Sequence, residues 1–279
     1  MELFIILFII CAGIVTGMLS GLLGVGGGVI CVPTLYFALT ESGVPEETAL
    51  LAAFGTSLAC AFPTVLAGSI SHIRQGHVSL KNAAVLGCAG AAVSFAGAFC
   101  AELIHVRVLE ILFGCLLLFA AVRMVIKGRT HPGENTEMKP VPCVCMGSAA
   151  GFISGLLGVG GGILLVPLLS LWGKFPMKRA IGTSSFAIAF VTFGGVCAYL
   201  LNGTAADVDL SPYGIFSIGF IALSMWLVFI LSSIPAAVFS SRVLGGKLPD
   251  RVLRGIFFVL MVVIALDMFE VFDFIRALL

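Results

Sequence analysis

Long apolar runs constrain this chain more than any other feature of its sequence. About 20 apolar residues are enough for one helix to cross a bilayer. Runs of this kind lie at 2–20, 48–70, 82–104, 107–126, 180–201, 214–241 and 251–272. Only 10% of the residues are Asp, Glu, Lys or Arg, whereas a soluble domain carries about 25%. We therefore expect an all-α polytopic membrane protein, in which the run at 2–20 is a retained membrane segment rather than a cleaved signal peptide.

A nine-residue motif divides the chain into two comparable halves. The residues SGLLGVGGG occur at 20–28 and again at 154–162, and a proline follows each copy at the same distance. A second motif comes after each of them, GTSL at 55–58 and GTSS at 182–185. Because both motifs keep the same order in both halves, the sequence indicates an internal duplication.

The polar connections between the apolar runs differ in charge. Those rich in Lys and Arg are 71–81, 127–140, 172–179 and 242–254, and those with acidic residues and no cation are 40–47 and 202–213. Cytoplasmic loops of membrane proteins carry an excess of Lys and Arg. The four cationic stretches are therefore predicted to be cytoplasmic and the two acidic ones external.

This sidedness predicts a broken helical hairpin in each half. Segment 141–171 lies between two cytoplasmic stretches, so it must enter the membrane and return, with its glycine motif as the turning point. By the same reasoning segment 2–39 starts and ends outside. We expect two inverted-topology repeats, 1–126 and 141–279, joined by a cytoplasmic linker at 127–140. Each repeat would hold one hairpin and three transmembrane helices, giving eight full spans, or ten if both hairpin arms are counted.

The two glycine breaks are the candidate substrate site. Backbone left open at membrane depth must face protein or a water-filled cavity, and the N–H groups that open the next helix can hold an anion. These helices are predicted to begin near Gly28 and Gly162, and hairpins entering from opposite faces would meet near the midplane. The candidate binding residues are Ser20, Gly24, Gly26, Gly27, Gly28, Thr56, Ser57, Ser154, Gly158, Gly160, Gly161, Gly162, Thr183 and Ser184. Close helix packing by the glycines and hydroxyl bonds to the local helix backbone remain alternatives.

The sequence has few features of an enzyme, of a nucleotide- or metal-binding protein, or of a nucleic-acid-binding protein. Asp267 is the only carboxylate well inside an apolar run and is expected at an interface. No cluster of titratable groups suggests an enzyme, and no motif suggests a nucleotide, a metal or another cofactor. A net charge of +1 gives no basic surface for nucleic acid. The Cys143 and Cys145 pair leaves a sulfur-relay role open.

The doubled motif resembles a known family. GLLGVGGGVICVP at 21–33 and GLLGVGGGILLVP at 155–167, each followed by a GTS helix, resemble the TauE/SafE membrane permeases over about residues 10 to 272. The resemblance implies a secondary transporter, rather than an enzyme, that moves sulfite or an organosulfonate across a bacterial inner membrane by alternating access. The membrane potential, a proton gradient or a sodium gradient are the open alternatives for its energy source, and a homodimer is an open expectation. An anion channel, a permease for another solute and a membrane scaffold are the alternatives.

Overall fold

The protein is a bundle of apolar helices. Two pairs of consecutive helices are separated by breaks at the glycine motifs. The computed structural model describes residues 3–23, 27–125, 138–240, 258–259, 261–266 and 268–269. The helices are α1 (Leu3–Leu23), α2 (Gly28–Glu41), α3 (Glu46–Arg74), α4 (Leu80–Leu103), α5 (Val106–Val125), α6 (Pro140–Leu157), α7 (Gly162–Leu171), α8 (Met177–Ala205) and α9 (Leu223–Phe239). A 3₁₀ turn at Ser211–Tyr213 and two short strands, β1 (Ser217–Ile218) and β2 (Ile221–Ala222), precede α9, and residues 258–259 and 261–266 are helical.

Helix α3 extends beyond the apolar run that predicts it, because its polar ends suit a helix. Glu46 and Glu47 occupy the first turn and Arg74 the last, where carboxylates and cations match the helix dipole. The expected cytoplasmic loop at 71–81 is therefore helical up to residue 74. Helix α8 begins at Met177, so the last residues of the expected 172–179 loop are also helical.

Four described helices are long and apolar enough to cross a membrane: α3, α4, α6 and the part of α8 from Arg179 to Ala205. Helices α2 and α7 have only 14 and 10 residues. At about 1.5 Å per residue they reach about 21 and 15 Å, well short of a hydrocarbon core of about 30 Å. The expected count of eight or ten spans stays a prediction.

The short helices fold back on the helices that precede them. The rings of Phe8, near the start of α1, and Phe37, near the end of α2, pack with centroids 5.2 Å apart. A β-carbon on Gly173, after α7, would lie 2.9 Å from Sδ of Met138, before α6. Each pair α1–α2 and α6–α7 therefore starts and finishes at one end of the molecule.

The helices of one half pack mainly against those of the other. Helix α1 lies against α9 and α6 lies against α4, while α3 packs against α8 between them. The largest fully buried side chains include Tyr199 of α8 and Phe54 of α3. The core is thus built across the two halves of the chain rather than inside each half.

The expected span at 214–241 is wrong in its first part. Residues 217–222 form an antiparallel hairpin in which Ser217 pairs with Ala222 and Ile218 with Ile221. Two glycines turn the chain here, Gly214 with φ 72° and Gly219 with φ 56°, values that side chains disfavour. The all-α expectation therefore fails at this hairpin, and α9 begins only at Leu223.

Candidate functional site

The two glycine motifs break the helices in nearly the same way. The residue before α2 is Gly27, with φ 73° and ψ −7°, and the residue before α7 is Gly161, with φ 75° and ψ −9°. A left-handed backbone of this kind is open to glycine at little cost. The predicted helix starts at Gly28 and Gly162 are confirmed. Gly24 and Gly26 lie outside the described residues.

The two breaks lie against each other. A β-carbon on Gly28 would stand 2.5 Å from the carbonyl oxygen of Val159, inside the second motif. Gly158 meets the backbone of Phe54 on α3 just as closely, with a β-carbon position 2.5 Å from its Cα. The tips of the α1–α2 and α6–α7 pairs therefore meet inside the bundle, and α3 closes the gap beside them. By contrast, the Gly160 position has no atom nearer than 3.4 Å.

The threonines of the GTS motifs are buried and bonded across the two halves. Thr56 Oγ1 accepts a hydrogen bond from the backbone N–H of Ala222 at 2.9 Å. Thr183 Oγ1 accepts one from the backbone N–H of Ser79 at 3.1 Å. Ala222 and Ser79 are the residues that precede α9 and α4. Each threonine thus holds the start of a helix from the opposite half.

The serines of the GTS motifs donate to backbone carbonyls. Ser57 Oγ lies 2.9 Å from the carbonyl oxygen of Gly158 and so ties α3 to the second break. Ser184 Oγ lies 2.9 Å from the carbonyl oxygen of Ile181, within its own helix. Both motifs lie inside α3 and α8, several residues past the helix starts.

The serines that begin the glycine motifs are in different surroundings. Ser154 is fully buried, and its Oγ has no hydrogen-bond partner among the described residues. This oxygen lies 3.8 Å from the β-carbon position of Gly161, at the start of α7. Ser20 is half-buried, with its Cβ 3.9 Å from the β-carbon position of Gly27. Ser154 therefore presents a free hydroxyl to the second break.

A small cavity of ≈ 10 Å³ adjoins the first break, about the space that one water molecule needs. Two hydroxyls on its wall, Thr16 Oγ1 and Ser233 Oγ, are buried without a hydrogen-bond partner among the described residues. Neither residue belongs to the motifs from which the candidate site was predicted. Thr16 stands one helical turn before Ser20, and this spacing is the signal that could have found it.

The described lining of this cavity carries no charged side chain. A larger cavity of ≈ 320 Å³ opens where α4 meets α5, but Glu47 and Glu102 line it together with His105. Carboxylates disfavour an anion, whereas hydroxyls and a helix N-terminus favour one. Of these two cavities, the one beside the first glycine break therefore has the lining more compatible with an anion.

The two cysteines of the CVC sequence do not form a working pair. Cys143 is buried, and its Sγ lies 3.8 Å from Oδ1 of Asn82, while Cys145 is exposed. Residues two apart on a helix point in different directions. The arrangement gives the sulfur-relay hypothesis no geometric support.

Broken apolar hairpins around an internal polar site define a polytopic membrane protein of the transporter class. The family model described as sulfite exporter TauE/SafE matches residues 9–268. The chain therefore belongs to the TauE/SafE family.

Similar proteins carry the same general description. A probable membrane transporter protein of Methanocaldococcus jannaschii is 29% identical over 245 residues, which cover 88% of this chain and 86% of that protein. One from Haemophilus influenzae is 30% identical over 269 residues, covering 95% and 98%. The YunE protein of Bacillus subtilis, named in the same way, is 25% identical over 218 residues, covering 72% and 79%. No solved structure matches significantly. The chain is a membrane permease and not an enzyme.

Proposed function

We propose that this permease moves a small sulfur-containing anion, such as sulfite or an organosulfonate, across the cell membrane. The observation that carries the proposal is the contact between the two breaks, Gly28 against Val159. It brings the N-termini of α2 and α7 close together, and both supply partial positive charge without a buried cation. The substrate class is the one named in the family's description, sulfite.

The proposed mechanism is alternating access between two inverted repeats, residues 1–126 and 141–279. Two reciprocal features support it: α1 packs on α9 as α6 packs on α4, and Thr56 binds Ala222 as Thr183 binds Ser79. Reciprocal contacts of this kind are expected from a pseudo-two-fold axis in the membrane plane. Rocking of one repeat against the other would expose the breaks to each side in turn. A proton or sodium gradient, or the membrane potential, would supply the energy.

The first test is the thermal stability of the purified protein with sulfite, sulfate, thiosulfate, sulfoacetate, taurine or chloride. A ligand that binds the folded state raises the melting temperature with the logarithm of its concentration over Kd. We expect one or more of the sulfur anions to stabilise the protein and chloride to have no effect. The same anion should show saturable flux into liposomes that contain the protein.

Ser154→Ala is the matching variant, because it removes the free hydroxyl at the second break. It should weaken binding of the stabilising anion about tenfold, as expected for a lost hydrogen bond to a charged group. Ser170→Ala is its control, since that hydroxyl donates to the carbonyl of Pro167 at 3.1 Å. The absence of both stabilisation and flux with every sulfur anion would contradict the proposal.

A further inference from the structure

Four helices from both halves of the chain meet at the cavity beside the first glycine break. Helix α1 contributes Thr16, α9 contributes Ser233 and Phe229, and Gly27 at the start of α2 completes this side. Cys31, Ser57, Cys60, Ala61 and Thr64 form the remaining described wall. The cavity therefore lies where α2 begins and where the two halves of the chain touch.

The hydroxyls of this wall fall into two kinds. Ser57 donates to the carbonyl of Gly158 at 2.9 Å, and Thr64 donates to the carbonyl of Cys60 at 2.8 Å. Thr16 and Ser233 are 3% and 1% exposed, yet their oxygens have no hydrogen-bond partner among the described residues. Buried hydroxyls are normally hydrogen-bonded, so two such groups facing one cavity require an explanation.

Close packing surrounds both residues. A β-carbon on Gly17 would overlap the backbone of Ser233, and one on Gly27 would overlap the methyl group of Thr16. Helices α1 and α9 therefore approach closely here, and Thr16 lies directly against the residue that opens α2.

We propose that Thr16 and Ser233 are the side chains that donate hydrogen bonds to the oxygens of the transported anion at this break. The inference rests on the proposed function. Each hydroxyl supplies one donor. The N–H groups of Gly28 and Val29, the first two residues of α2, supply others, whereas those of Ile30 and Cys31 already donate to the carbonyl of Gly27. Because the cavity is ≈ 10 Å³, it admits one oxygen of the anion in this conformation. Recognition then depends on the oxyanion head, and the rest of a sulfonate lies outside.

The test removes each hydroxyl and keeps the shape of the side chain. Thr16→Val and Ser233→Ala should each raise the Kd for sulfite, measured by thermal shift of the purified protein, about tenfold or more. The same variants without sulfite should melt at or above the wild-type temperature, since each loses a buried hydroxyl without a partner. A purely structural role predicts the reverse, with a lower melting temperature and an unchanged Kd.

Two further variants complete the design. Thr16→Ser restores a hydroxyl and should return the Kd towards the wild-type value. Thr34→Val is the control, because that hydroxyl lies on α2 and donates to the carbonyl of Ile30 at 2.7 Å. Wild-type binding of sulfite with unchanged Kd in Thr16→Val and Ser233→Ala would overturn this inference alone. Failure of the wild-type protein to bind any sulfur anion would overturn the proposed function and this inference with it.

Discussion

At the scale of single residues, Thr56 and Thr183 matter most for how the halves are joined. Each is fully buried and accepts a backbone N–H from the opposite half. A buried N–H group that loses its acceptor costs about 1 to 3 kcal/mol, because water cannot replace the lost partner. These hydroxyls therefore hold the two halves together, whether or not they also contact substrate.

Replacement of either threonine by valine should lower stability. Thr56→Val and Thr183→Val each leave one backbone N–H unsatisfied, so we expect a loss of about 1 to 3 kcal/mol in the free energy of unfolding. Thermal melting in detergent would measure it. Thr64→Val and Thr192→Val are the matched controls, because their hydroxyls bond only within their own helices. Equal loss in variants and controls would show that the contacts across the halves contribute little.

The partners of these threonines could not be read from the sequence. Thr56 bonds to a residue 166 positions away and Thr183 to one 104 positions away, and such distances depend on the whole packing. A pattern of glycines and hydroxyls predicts where the chain breaks and which side chains lie nearby. It does not say which hydroxyls are bonded within the protein and which stay unpartnered. Thr16, which is unpartnered, was missed because it lies one helical turn before the motif rather than in it.

At the scale of elements, the contact between α4 and α6 depends on glycine. Gly147, Gly151 and Gly155 are spaced four residues apart on one face of α6 and meet the backbone carbonyls of α4. Small residues at this spacing let two membrane helices approach closely. A methyl group added at any of the three positions would have to push the helices apart.

Gly151→Ala should therefore destabilise the protein by about 1 to 3 kcal/mol, the usual cost of an overpacked interior. A β-carbon at Gly151 would overlap the backbone of Gly90. Gly68→Ala is the control, because a β-carbon at that position on α3 would have no atom of another described element within 4 Å. Since alanine favours helix over glycine, Gly68→Ala should be neutral or stabilising by up to about 1 kcal/mol. A stable Gly151→Ala variant would mean that α4 and α6 can separate without loss.

Element boundaries followed from the sequence where a strong local signal exists. The glycine breaks predicted the starts of α2 and α7, because a run of glycines disfavours helix. The hairpin at 217–222 was missed, since a short apolar run fits a strand or a helix equally well. There Gly219 adopts a positive φ and packs against the backbone of Leu200, which favours a tight turn between the strands over a continuous helix.

At the scale of the whole molecule, the loops sort by charge. A β-carbon on Gly43, in the acidic connection after α2, would lie 3.7 Å from the ring of Tyr213, in the other acidic connection. At the other end, a β-carbon on Gly182, which follows the cationic 172–179 stretch in α8, would lie 2.6 Å from the carbonyl oxygen of His77, in the cationic 71–81 stretch. Hydrogen bonds from Ser211 lower the pKa of Asp209, so this exposed loop keeps its negative charge at neutral pH. Of the described connections, the two acidic ones, 40–47 and 202–213, thus share one end, and the cationic 71–81 and 172–179 share the other.

This charge separation predicts the orientation of the protein in the membrane. By the positive-inside rule the cationic end faces the cytoplasm. Glu46→Cys and Asp209→Cys, both exposed at the acidic end, should react with a membrane-impermeant maleimide on intact cells. Arg74→Cys and Lys174→Cys, exposed at the cationic end, should react only after the cells are permeabilised.

The wild-type chain, with its nine native cysteines, provides the background labelling in both conditions. If one member of each pair reacts on intact cells, then the two loops of that pair are not on the same side. That result would contradict the proposed inverted repeats, because it would remove the hairpins that enter from opposite faces. Labelling of both cationic-end variants and neither acidic-end variant would keep the repeats and reverse only the orientation. The glycine breaks would still meet inside the bundle, so the proposed anion site does not depend on which end is cytoplasmic.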